Sequence, residues 1–551
     1  MRRTFSFLIV ISISVAIIAG LKYSRADAQS DSFERLDILI INGTIVDGSG
    51  QKRRKADIGI RDDRIVLVGD SHRPRPGAEL GFKAARTIDA TGMIVSPGFI
   101  DGHTHTLGDL SGEQTKSNQA YLLQGVTTVV TGNDGGSVLN VGDTLRKWEA
   151  QGIGTNGVLL AGFGTIRTKV LGPTDAQPTA TQLEEMKGYV ALAMDEGAFG
   201  MSTGLYYAPQ SYSKTEEVIE LARVAAAKGG IYDTHMRDEG SYTIGLLGAI
   251  KETIRIGREA KMPVHISHIK ALGPDVWGQS KQAIDLMKQA RREGIEATAC
   301  QYPYEASGSS LTASLVPRWA EVGGQRELVQ RISDAQIRPR LIAEMEQNLK
   351  RRGGAESLLI VDSRDRQYVG KRLNQIAQEM NKTPVEAALE IITNAGGAGV
   401  ASFNMNEKDI RRFMKDKFVM TCSDGSTGHP RKYGTFPKKL HQYVYQDKVI
   451  SLPFAVRNSS ALTAETFRIP ERGLIRAGYF ADVIIFDPST VSDRSTYEQP
   501  EVLAVGMKFV IVNGKIAVEN GTYTGVLAGR ALRKTSGAVA RPGGRARLAA
   551  P

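Results

Sequence analysis

Cysteine is almost absent from this chain of 551 residues, with only Cys300 and Cys422. Two are too few for a disulfide framework. Each lies in an apolar run that reads as a strand, so two buried thiols are expected rather than a bridge. No cysteine follows the small-residue site Ala26-Asp27-Ala28, which excludes a lipoprotein anchor. Acidic residues are fewer than basic ones, and the net charge is +11. The basic residues are spread out, with their densest patches at 51–55, at 350–352 and at the C-terminal end. No basic module interleaved with aromatics occurs, so nucleic acid is not the expected partner. Histidine is also scarce, at eight residues. That scarcity makes placement informative, because His103, His105, His235, His265 and His268 all lie at the ends of apolar segments.

Apolar content of 41% and charged content of 23% are those of a globular protein long enough for two or more domains. Residues 1–28 combine Arg2 and Arg3, an apolar run from Phe5 to Leu21 and a small-x-small site, the pattern of a secretory signal. An exported protein, periplasmic or secreted, is expected, with no membrane span after cleavage; an uncleaved anchor is the alternative. Short strand-like runs follow at 36–42, 45–47, 57–61, 64–69 and 87–90, with Asn42-Gly43 and Asp62-Asp63 as hairpin turns. The same texture returns only at 482–486, 505–512 and 515–519. These pieces predict one small β-sandwich built from both termini, residues 29–92 and 471–530, before a basic tail, 531–551, expected to be disordered.

The middle, 93–470, alternates strand-like runs with helical stretches. The runs are 93–100, 127–131, 157–161, 198–202, 230–234, 263–267, 296–301 and 418–422. Eight such units predict an α/β architecture, a TIM-like (β/α)8 barrel. A charged, helix-prone stretch before the last strand reads as an insertion at about 311–375, either a lid or a structural layer.

Polar residues with chemistry cluster just after these runs, where barrel enzymes keep their active sites. Ser96-Pro97-Gly98-Phe99-Ile100-Asp101-Gly102-His103-Thr104-His105 delivers two histidines one residue apart, and in an extended segment both imidazoles aim at one point. An isolated HxH is more often two ordinary strand-end histidines. Here Asp134 follows the second run, His235 the fifth, His265 and His268 the sixth, and Asp424 the eighth. Four histidines and two carboxylates at one mouth fit a hydrolytic metal site of the zinc type, with one or two ions.

These segments resemble the amidohydrolase superfamily in its N-acyl-D-amino-acid deacylase branch. The resemblance covers about 35–530 and rests on SPGFIDGHTH, GVTTVVTGNDG, GGIYDTHMRDE, VHISHIKALG, QYPYEASGSSL and TCSDGSTGHPRKYGTFPK. It implies metal binding by His103, His105, His235 and His268, with Asp424 moving the proton between an attacking water and the leaving amine. It places Arg431 and Lys270 near the carboxylate of a small N-acyl amino acid or dipeptide, with Tyr207 and Tyr302 as hydrogen-bonding partners. His265 matches a position that is not a ligand, and His429 is expected to be structural. Arg237 and Glu239 are expected to pair and orient His235. Two departures matter. Relatives often carry a metal-binding cysteine where this chain has Asp134, which remains the ligand candidate against a plain loop aspartate. Relatives also carry a histidine where this chain has Phe163. A cyclic-amide hydrolase and a non-catalytic metal-binding barrel are the competing readings.

Overall fold

The computed structural model describes residues 34–71 and 82–534; the signal segment and the tail beyond Lys534 lie outside them. Strands Glu34–Ile41, Asp57–Arg61, Arg64–Gly69 and Phe82–Asp89 make a four-stranded sheet. A seven-stranded sheet combines Thr44–Ile45 and Ile94–Pro97 with Val483–Phe486, Met507–Val512 and Lys515–Glu519. Alternate residues of both sheets, among them Ile38, Ile40, Ile58, Ile60, Val483, Ile485 and Ile511, share one core. This is the sandwich built from both ends of the chain.

Asp62-Asp63 joins two antiparallel strands as expected. Asn42-Gly43 does not make a hairpin: Ile41 pairs in the first sheet and Thr44 in the second. Ile40 and Ile45 thereby enter the same core from opposite sheets.

The run at 93–100 is also two strands. Ile94–Pro97 pairs with Val483–Phe486 in the sandwich, and Phe99–Asp101 opens the barrel beside Val126–Thr131. Gly98 permits the change of partner, because a Cβ there would lie 2.2 Å from Thr127 Oγ1.

Phe99–Asp101, Val126–Thr131 and Asn156–Leu159 form one parallel ladder. Ala161–Gly162, Gly200–Gly204, Ile231–His235, Val264–Ile266, Ala297–Gln301 and Val419–Thr421 form another. The third strand passes through Leu160 from one ladder to the next. Helices such as Gly245–Ala260 connect the strands and bury Leu246, Ala249, Ile250 and Ile254, the spacing of one helix face. Between the last strand and the first no ladder forms. A single parallel bridge, Thr104 to Gly425, spans that seam, where the Asp424 N–H donates to the His103 carbonyl at 3.0 Å. The Asp101 carboxylate accepts from the Ser423 N–H at 3.1 Å. Both cysteines are buried and free.

The insertion is wider than 311–375. Strands Ala306–Ser310, Leu358–Ser363 and Ala398–Phe403 form an antiparallel sheet, so the unit spans 306–403. It has its own core around Leu311, Leu328, Leu341, Leu373 and Leu389. Its first and last strands in sequence, Ala306–Ser310 and Ala398–Phe403, are rich in Ala, Gly and Ser and lack the alternation that signals a strand. The tail also starts later than 531: Ala531 bridges to Gly157, and the Lys534 N–H donates to the Gly197 carbonyl.

Candidate metal centre and its cavity

The strand ends bring the scarce histidines around one carboxylate. Asp134 Oδ1 lies 3.5 Å from His103 Nε2 and 3.5 Å from His268 Nε2. Its Oδ2 lies 3.8 Å from His105 Nε2 and 3.8 Å from His235 Nδ1. These distances are too long for hydrogen bonds. They suit atoms that share a cation, since ligands bound at about 2.0–2.2 Å in a tetrahedron stand about 3.3–3.6 Å apart. Both His103 ring nitrogens, His235 Nδ1 and Asp134 Oδ1 are buried without a hydrogen-bond partner. Burial lowers the pKa of His103 to about 4 and also lowers that of His235. Both imidazoles are therefore neutral, the form a cation requires. Burial pushes the Asp134 carboxyl up, but the surrounding histidines, His103 foremost, outweigh that and hold it well below its ordinary range. An ionised carboxylate beside the neutral imidazoles of His103 and His235 fits a divalent ion of the zinc type.

His103, Asp134, His268 and Asp424 offer ligand atoms within 4.8 Å of one another, as do His235, Glu239 and His268. The second trio is better read as an orienting group. Glu239 lies 3.5 Å from His235 Nε2 and 3.1 Å from His268 Nδ1, on the sides of the rings turned away from Asp134. A neutral His268 that offers Nε2 to a cation carries its proton on Nδ1 and donates it to Glu239. Lys270 Nζ in turn lies 2.6 and 2.8 Å from the two Glu239 oxygens and 2.9 Å from the His268 carbonyl. An ammonium has three donors, so in this arrangement Lys270 holds Glu239 and has none left for a substrate carboxylate. Arg237 does not pair with Glu239; it reaches outward to Glu252 at 2.9 Å.

Three site residues, Asp134, His268 and Asp424, have left-handed backbones, with φ of +56°, +34° and +49°. Such conformations are costly for non-glycine residues and persist where neighbours fix them. Gln210 Nε2 holds the Asp134 carbonyl at 2.8 Å, and the His268 N–H approaches Cys300 Sγ at 3.2 Å.

Asp424 Oδ1 lies 3.0 Å from His105 Nε2 and 3.6 Å from His103 Nε2, and Arg431 Nη1 lies 2.7 Å from Oδ2. Burial raises the Asp424 carboxyl, but Arg431 and the surrounding histidines dominate and keep it ionised. Arg431 is itself buried, with no hydrogen-bond partner at Nε. These groups face a cavity of about 450 Å³ between the barrel mouth and the insertion. Tyr207 lines it with its ring 4.7 Å from that of His235. Tyr302 stacks on Arg431 at 4.6 Å, its hydroxyl buried without a partner.

His265 points away, bonded to Thr298 at 3.0 Å and packed against Phe467. His429 accepts from the Arg431 N–H through Nδ1 at 3.2 Å and donates to the Ala306 carbonyl through Nε2 at 3.0 Å. It braces the loop that carries Arg431. Phe163 is buried in the main core.

The model of the amidohydrolase family matches residues 86–518. The chain belongs to that family. This amidohydrolase is 34% identical over 538 residues to a D-aminoacylase of Alcaligenes xylosoxydans xylosoxydans, covering 92% of this chain and all of the relative. A D-aminoacylase crystal structure superposes with a TM-score of 0.77 at 33% identity, covering 91% of this chain and 100% of that one. The N-acyl-D-glutamate deacylase of Bordetella bronchiseptica, solved with zinc and a phosphonate that mimics the tetrahedral intermediate, gives 0.76 at 30% identity, with the same coverage.

Proposed function

We propose that this amidohydrolase is a zinc-dependent deacylase that releases the acyl group from N-acyl-D-amino acids. The observation that carries the reading is the Asp134-centred histidine cluster with Asp424 and Arg431 at its edge. Zinc held by His103, Asp134, His235 and His268 would supply an electrophile for the amide carbonyl and lower the pKa of a nearby water. His105, expected from the resemblance to be a further metal ligand, lies 3.0 Å from Asp424 Oδ1 and is here assigned to that carboxylate, which takes the water's proton and delivers it to the leaving nitrogen. Arg431 lines the cavity beside Asp424, with Nη1 on that carboxylate and Nε unpaired, and its planar guanidinium is the group suited to the substrate's α-carboxylate. Tyr207 walls the cavity beside His235.

Cyclic-amide chemistry through a lysine that bridges two metals finds no support here, because the strand-end lysine, Lys270, is tied to Glu239. The preference for D substrates rests on the named relatives, and export rests on the signal pattern of residues 1–28. The mature chain from residue 29, loaded with zinc, is assayed for amine release from paired N-acetyl-D- and N-acetyl-L-amino acids. Release from the D member, lost in Asp424→Asn, is expected. Release from neither rejects the reading, and N-terminal sequencing of exported protein checks the cleavage.

A further inference from the structure

Four arginines are buried among the described residues: Arg167, Arg352, Arg431 and Arg472. Three of them have a carboxylate partner. Arg167 pairs with Glu217 at 3.1 Å, Arg431 with Asp424 at 2.7 Å, and Arg472 with Asp482. Arg352 stands apart. It follows the insertion helix Arg338–Arg351, and its guanidinium meets only hydroxyl groups. Nε donates to Tyr242 Oη at 2.6 Å and Nη2 to Tyr206 Oη at 3.0 Å. Nη1 has only long contacts, 3.4 Å to Ser402 Oγ and 3.5 Å to Ser307 Oγ.

Neutral oxygens satisfy the donors of a cation but leave its charge uncompensated, which is strongly unfavourable away from water. A ligand that brings a negative charge removes that penalty, and Arg352 is placed to meet one. It lines the same cavity as Asp134 and Asp424, together with Tyr206, Tyr242 and Ser307. Tyr206 stacks on His235 with ring centroids 5.5 Å apart. The guanidinium therefore stands one tyrosine ring beyond the histidine cluster, while Arg431 stands against Asp424. One cavity thus holds two cationic forks, and the α-carboxylate needs only one of them.

We propose that Arg352 is a second anion subsite, which takes a carboxylate of the substrate other than its α-carboxylate. The preferred substrates are then N-acyl amino acids with two carboxylates. The second one sits either on the side chain, as in an acylated acidic amino acid, or at the far end of a dicarboxylic acyl group. The inference rests on the deacylase reading, and Arg352 adds selectivity without touching the reacting amide.

The test compares kcat/KM of the zinc-loaded enzyme on N-acetyl-D-glutamate and on N-succinyl-D-alanine, each against its neutral amide counterpart. At least one acid is expected to exceed its amide by about tenfold or more, through a lower KM. Which acid does so distinguishes the two sources. Arg352→Gln is expected to collapse that ratio by a similar factor, and Arg352→Lys to restore part of it. Equal kcat/KM for acid and amide in the wild-type enzyme overturns the proposal without any variant. So does an Arg352→Gln enzyme that slows acid and amide in proportion, which marks Arg352 as a brace between insertion and barrel. If no N-acyl-D-amino acid turns over, the deacylase reading fails by itself and binding judges the subsite. Glutarate must then raise the thermal midpoint of the wild type above the rise given by butyrate, and Arg352→Gln must lose the difference. Equal shifts reject the subsite.

Discussion

Lys439 is buried, and its Nζ donates to Thr421 Oγ1 at 2.6 Å. Burial lowers its pKa from the ordinary 10.5 to about 7, with Cys422 opposing weakly. Between those values the unfolded chain binds a proton that the folded chain does not. Stability therefore rises with pH across that window by about 1.4 kcal/mol per unit, and below pH 7 the full penalty is present. Across the window the penalty sums to about 5 kcal/mol. Lys439→Met keeps the stem and removes the charge. It gives up one hydrogen bond, about 1 kcal/mol, and leaves Thr421 Oγ1 bonded to Ser459 Oγ at 2.7 Å. The variant should be more stable than the wild type by about 2–4 kcal/mol at pH 7. That advantage should shrink toward zero as pH approaches 10.5. Urea unfolding of both proteins at several pH values between 7 and 10 measures it. A gap that does not change with pH would refute the reasoning, because it would mean that Lys439 carries its proton equally in both states.

Glu239→Gln should weaken zinc binding by about 10- to 100-fold in chelator competition, since His235 and His268 lose their shared acceptor and Lys270 its counter-charge. Asp134→Asn should reduce the metal retained after dialysis at least as strongly, because it removes the charge at the centre of the four histidines. An Asp134→Asn protein that retains full metal would return Asp134 to the role of a loop residue. Gly98→Ala should cost about 2 kcal/mol or more in urea unfolding, because its Cβ would meet Thr127 Oγ1 at 2.2 Å and force two sheets apart.

The barrel was legible because its eight strands lie in runs of mostly apolar and small residues, each followed by a polar break. The histidine cluster was legible because HxH, THMRDE, HISH and SDG mark four of those breaks. The partner of Glu239 was not. Its neighbour Arg237 is closer in sequence than Lys270, but Arg237 leaves the barrel mouth for Glu252 on the next helix. Lys270 reaches Glu239 because the parallel register of Thr234 with Ile266 sets the two loops side by side. The crossing at Asn42-Gly43 was hidden for a related reason: a turn signal reports that the chain bends, and which sheet the next strand joins depends on a core assembled from both termini. The wider insertion escaped because its first and last strands are built from small residues with no alternation. Arg352, met in the sequence as part of a basic patch, shows its isolation only when every neighbouring carboxylate has been located.

The first and last strands of the insertion pair directly, Ala306 opposite Phe403. The unit thus leaves and re-enters the barrel at one point and carries its own core between. Such a unit behaves as a cassette. It can be lengthened, exchanged between relatives or redesigned without disturbing His103, His105, His235 and His268, which all belong to the barrel. Transplanting 306–403 from another deacylase should therefore change which molecules are accepted while leaving the reaction itself in place.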